Sequence, residues 1–143
     1  MKLSSPAFAN GDTIPVQFTC DGSDVSPPLQ LSDIPEQAVS LVLVVDDPDA
    51  PNGVWDHWIA YDVVPLEMID EAVVALGTPG TNSWGRTGYG GPCPPSGTHR
   101  YYFTVYALDT GLGLPSRADK TEVLQSLAGH VLAEAILMGR YSR

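Results

Sequence analysis

Glycine and proline make up 27 of the 143 residues, and they gather in clusters that punctuate the chain as turns. Between the clusters lie short apolar or alternating runs. Residues 39–45 (VSLVLVV) read as a buried strand, 55–64 (WDHWIAYDVV) as a strand of imperfect alternation, and 101–108 (YYFTVYAL) as an aromatic, β-branched strand. Strands parted by Gly/Pro turns, with no helices alternating between them, favour an antiparallel sandwich or barrel over a βαβ sheet. No internal repeat is visible, and a chain of 143 residues fits one domain, 1–143, around one core.

The pattern changes period near the C-terminus. Asp119-Lys120-Thr121-Glu122 matches a capping box with Asp119 as N-cap. Val123, Leu124 and Leu127 share a helical face, followed by Val131, Leu132, Ala135 and Ile136. Two short helices are expected, divided at Gly129 and capped at Gly139, packing on the sandwich through this stripe. His130, between them, reads as a structural or surface histidine.

Seventeen acids against seven Lys and Arg give a net charge of −10. That balance excludes nucleic acid, whose binding depends on cations that neutralise phosphates, and disfavours anionic membrane surfaces. The charge is unevenly spread. Thirteen acids lie between Asp12 and Glu71, and none between Ala72 and Leu108, a stretch that carries Arg86, His99 and Arg100. A small anion would find its place there. No apolar run is long enough to span a bilayer and the first residues do not form a signal peptide, so a cytoplasmic protein is expected. Cys20 and Cys93 are too few for a disulfide scaffold and lack metal-ligand spacing, and whether they pair is left open.

Two segments stand out. Asp46-Asp47-Pro48-Asp49-Ala50-Pro51 is a stiff acidic turn after the buried strand, in which either X-Pro bond can be cis. Trp55, Asp56, His57 and Trp58 follow closely. The second segment runs from Gly90 to Tyr101 (GGPCPPSGTHRY) and is constrained enough to be pre-formed. It delivers His99 and Tyr101 to the start of a strand, where alternation points both to one face and Arg100 to the other.

These residues admit several chemistries. A metal site would use His57, His99 and a carboxylate, but no HxH or HExxH spacing supports it. A serine hydrolase lacks its GxSxG elbow, and Cys93 beside His99 lacks a helix N-terminus to activate the thiol. The remaining reading is a polar pocket for an anion. A protonated histidine supplies charge, Tyr101 and backbone N–H groups donate, and an aromatic wall excludes water. Asp47 would hold a histidine in its tautomer and favour its cation. Against this stand plainer roles: His57 as a buried histidine satisfied by Asp47 or Asp49, Trp55 and Trp58 as core or wall, and Arg100 in an ion pair.

The DPDAP turn, the Trp55-Asp56-His57-Trp58 segment and the GPCPPSGTHRY loop resemble the signature regions of the phosphatidylethanolamine-binding proteins. That family includes the Raf kinase inhibitor protein and compact bacterial and archaeal relatives. The stretches Phe18–Gly22, Val25–Leu29 and Gly129–Ala133 resemble its prokaryotic branch. The resemblance implies an all-β fold, a two-sheet antiparallel β-sandwich with short C-terminal helices. It also implies a pocket for phosphate-like anions and phospholipid head groups, formed by Asp47, His57, His99 and Tyr101. Asp49, Trp55, Pro94 and Pro95 would be wall or loop-shaping positions. No metal, cofactor or catalytic residue is expected, and a homodimer would be similar to the prokaryotic relatives. The spans from Asp49 to His57 and from Pro95 to His99 are shorter than in animal members, and Leu31 stands where a tryptophan often follows the SPxL motif. Binding of Raf-type kinases therefore does not transfer. Two other classes stay open: an acid–base hydrolase using Asp47, His57 and His99, and a kinase or protease inhibitor acting through a protein partner.

Overall fold

The hydrophobic runs become paired strands in the computed structural model, which describes residues 1–143. In chain order the strands are β1 (Lys2–Ser4), β2 (Leu29–Ser32), β3 (Ser40–Asp47) and β4 (Trp55–Val63). The short β5 (Met68–Ile69) and β6 (Thr78–Pro79) come next, then β7 (Thr98–Leu108) and β8 (Val131–Ser142). One six-residue helix, α1 (Lys120–Gln125), precedes β8, and a 3-10 turn spans Val16–Phe18. No helix is long and apolar enough to cross a membrane. The strands form two antiparallel sheets, β1-β2-β5 and β6-β4-β3-β7-β8.

A core of 19 buried residues joins the sheets, with Leu3, Leu29 and Leu31 from the small one and Leu41, Leu43, Val45, Phe103 and Leu137 from the large one. The run in β3 is unbroken because both its faces are covered. Val42 and Val44 turn away from the main core and join Ile59, Tyr61, Val123 and Leu127 beneath α1. Each such side chain contributes roughly 1.5–3 kcal/mol by leaving water.

The Asp119 N-cap forms as expected, with the Glu122 N–H donating to the Asp119 carboxylate at 2.9 Å, while the returning bond from the Glu122 side chain that would complete a capping box is not made. The second helix does not form. Residues 131–142 are strand β8, in register with β7 from His99↔Tyr141 to Ala107↔Ala133. Its sequence satisfies both periods, and the alternating set Ala135, Leu137 and Gly139 fits the sheet. Pairing along β7 decides between them, and Ile136, assigned to a buried helical stripe, is 51% exposed. Gly139 is accordingly no helix cap. A Cβ there would lie 2.5 Å from Ile14 Cγ1 and 2.9 Å from Phe8 Cε2. Gly139→Ala is therefore expected to lower stability by about 1–3 kcal/mol in urea denaturation; an unchanged midpoint would show that Ile14 and Phe8 yield freely.

Cys20 and Cys93 form a disulfide, with Cα atoms 5.4 Å apart. It ties the chain just beyond the 3-10 turn to the loop before β7. All peptide bonds, including those before Pro48 and Pro51, are trans.

Candidate functional site

The inward rows of β3 and β7 do not stop at the hydrophobic core. Val45 is followed on its face by Asp47, and Phe103 is preceded by Tyr101 and His99, so polar groups replace apolar ones at one end of the sandwich. On β4 the register slips by one residue, since Val45 faces Trp58 but Asp46 faces Asp56. His57 is the extra residue of this β-bulge. The bulge makes His57 and Trp58 both buried, and it resets the alternation so that Trp55 lies opposite Asp47 and Asp56 opposite Asp46.

Behind the sheet, Lys120 of α1 bridges that outward acid pair, 3.2 Å from Asp46 and 2.6 Å from Asp56. The third neighbouring acid, Asp49, takes the Arg100 Nη2 and Nε groups at 2.8 and 2.9 Å, and the Arg100 backbone N–H as well. The Arg100 hydrogen bonds hold its carboxyl down to about 2. Arg100 thus faces away from His99 and forms the expected ion pair. Asp47 is left as the acid facing the cavity.

The cavity measures about 260 Å³ and is lined by Asp47, Trp55, His57, His99 and Tyr101 together with Pro94 and Pro95. All seven were named from the sequence. Asp49 shapes the loop and does not line the wall. Asp47 is buried, and its two oxygens are both engaged: Oδ2 accepts from His99 Nδ1 at 2.6 Å and Oδ1 from the Asp49 N–H at 2.7 Å. The His99 ring is therefore fixed with its proton on Nδ1, leaving Nε2 free. His57 is oriented differently, its Nδ1 donating to the Gly90 carbonyl at 2.7 Å rather than to Asp47 or Asp49. The Tyr101 hydroxyl is buried and makes no well-formed hydrogen bond, although the Asp47 carboxylate and the Cys93 backbone lie near it. Burial, and after it the charge of Asp47, pushes its ionisation well above the usual phenol range.

Among the residues sequence reasoning missed, Trp84 packs edge-on against both His57 and Trp55, with ring centres 4.9 and 5.6 Å away. Its only sequence signal was its place in the acid-free stretch. Ala50, Pro51 and Cys93 complete the wall. No three His, Cys, Asp or Glu side chains converge as metal ligands do.

Comparison with known proteins identifies the family. The family model described as phosphatidylethanolamine-binding protein matches residues 4–142. The chain belongs to the phosphatidylethanolamine-binding protein family. It is 47% identical over 150 residues to a UPF0098 protein of Methanothermobacter thermautotrophicus, covering 100% of this chain and 99% of that one. The crystal structure of a phosphatidylethanolamine-binding protein homolog from Chlamydia trachomatis superposes with a TM-score of 0.96 at 42% identity, covering 99% and 97% of the two chains. Escherichia coli YbcL, described as a member of the mammalian family, gives 0.88 at 28% identity, covering 99% and 98%.

In this family member burial sets the charge preference of His57. Burial lowers the His57 pKa below its ordinary 6.5, outweighing the Gly90 carbonyl and the nearby carboxylates. The unfolded chain then binds more protons than the folded one just below pH 6.5, so stability rises with pH in that window. His57's contribution is complete above 6.5 and is lost as pH falls through its folded pKa. Urea denaturation of the wild type and His57→Gln at about pH 5 and about pH 7.5 should show the smaller pH loss in the variant. Equal losses would place the acid sensitivity elsewhere.

Proposed function

We propose that this chain binds a small anion or a phosphorylated head group in the cavity between β3, β4 and β7. The observation that carries the reading is the convergence of His57, His99 and Tyr101 on one cavity, with the buried Tyr101 hydroxyl making no hydrogen bond in the free protein. An orphaned buried hydroxyl normally costs stability, and a ligand oxygen would relieve that cost. In the complex the hydroxyl donates to one oxygen of the anion. The His99 ring, oriented by Asp47 on Nδ1, presents Nε2 to another. Trp55 and Trp84 line the cavity as the aromatic wall that an attached ammonium group would meet.

Size narrows the ligand. Pockets that enclose drug-sized molecules run to about 300–1,000 Å³, and this one is about 260 Å³. A head group fits, while the acyl chains of a lipid would remain outside. The family name supports the phosphorylated class.

Titration calorimetry with inorganic phosphate and phosphorylethanolamine tests the reading. At about pH 7 at least one of the two probes should bind at millimolar concentration, and His99→Ala should lose that binding. No heat with either probe at millimolar concentration, or binding retained in His99→Ala, would defeat it.

A further inference from the structure

Cys93 has two positions at once: it lines the cavity, and it is half of the disulfide to Cys20. Both cysteines are solvent-exposed. The segment between Gly90 and His99 provides the wall residues Pro94 and Pro95 and leads into His99. Besides the disulfide, it is joined to the turn containing Cys20 by the Cys20 N–H donating to the Pro92 carbonyl at 3.1 Å. The Gly91 N–H also donates to the Asp24 carboxylate at 2.8 Å. The two sulfurs have different surroundings. Arg143 Nη1 lies 3.4 Å from Cys93 Sγ, while Arg143 Nε pairs with Asp21 at 3.3 Å. A guanidinium beside one sulfur stabilises negative charge on it and makes it the better leaving group.

We infer that the Cys20–Cys93 bond is a thiol-exchange site in the pocket wall, attacked at Cys20 by small thiols and releasing the Cys93 thiolate beside the cavity. A thiolate RS⁻ bonds to Cys20 Sγ, the S–S bond breaks, and its electron pair leaves on Cys93, where Arg143 meets the charge. A second RS⁻ attacks the RS–S–Cys20 bond, giving RSSR and the Cys20 thiolate, so two thiols are oxidised and one disulfide is reduced. The wall then loses its covalent tether and keeps only hydrogen bonds, those to the Cys20 turn and those that Gly90 makes with His57 and Gly97 with Arg143, so segment 90–97 opens more often. The effect on ligand rests on the anion-binding reading, because a loop that must be ordered on binding weakens the complex.

The intact oxidised protein, treated with reduced glutathione under native conditions and quenched with acid, should carry glutathione on Cys20 by peptide mass spectrometry. After full reduction with dithiothreitol, backbone amide exchange in 90–97 should accelerate about tenfold, and phosphorylethanolamine affinity should fall by about tenfold. Iodoacetamide should modify Cys93 more slowly with saturating phosphate in Cys20→Ser, while modification of Cys20 in Cys93→Ser is indifferent to phosphate. Glutathione found on Cys93, a bond that opens only after denaturation, or unchanged amide exchange would overturn the proposal. Oxidised protein that binds no phosphate, yet gives the Cys20 adduct and the faster exchange, would sink only the anion-binding reading and support the exchange site.

Discussion

Asp47→Ala is expected to remove about 3–5 kcal/mol of folding stability. The carboxylate accepts two buried hydrogen bonds, from His99 Nδ1 at 2.6 Å and from the Asp49 N–H at 2.7 Å. Hydrogen bonds to a charged group contribute roughly 1.5–3 kcal/mol each. Alanine removes both and leaves the His99 N–H facing an apolar space. Asp47→Asn has a different outcome, because an amide has one accepting oxygen where the carboxylate has two. One of the two bonds survives, and the loss should be about half. Urea denaturation near pH 7 measures both variants. If Asp47→Ala lies within about 1 kcal/mol of the wild type, water replaces the carboxylate at little cost and the site is less closed than its burial implies.

Tyr101→Phe should separate binding from stability. The hydroxyl is buried and unpartnered in the free protein, so deleting it removes a polar group that has no bond to lose. Thermal unfolding should be unchanged or rise slightly. Affinity for phosphate should fall by about 10–100-fold, the equivalent of one hydrogen bond to a charged oxygen. The same hydroxyl therefore has opposite effects with and without ligand. A phenylalanine variant that binds phosphate as well as the wild type would remove Tyr101 from the ligand, and with it the main support for the proposed function.

The strand runs and the Gly/Pro turns gave the sheets, because a buried strand carries its own apolar signature. The stiff loop before His99 was readable for the same reason, since proline and glycine act on the backbone directly. The tail was misread because residues 131–138 (VLAEAILM) suit a helix by local preference, and only the edge offered by β7 makes them a strand. The bulge at His57 showed in the sequence only as broken alternation. Which residue was the extra one depended on the partner strand, and so did the choice of Gly90 rather than an acid as the partner of His57. Trp84 was missed because its loop has no periodicity to place it. The acid cluster was visible, but its neutralisation by Lys120 was not. That lysine lies 74 positions from Asp46 in the chain.

The order β6-β4-β3-β7-β8 has a consequence for how the molecule is made. On a ribosome β3 and β4 emerge together and can pair at once. Strand β7 then docks on β3, completing the cavity walls, yet its outer flank stays bare until residues 131–142 have been synthesised. At about 5–20 residues per second that delay is a few seconds. During it, an eleven-residue strand carrying His99 and Tyr101 is a sticky template for any other unfinished chain. Strand β8 thus guards the strand that carries the cavity wall, and a slow codon placed between Leu108 and Val131 should cost yield through aggregation while leaving the folded protein unaltered.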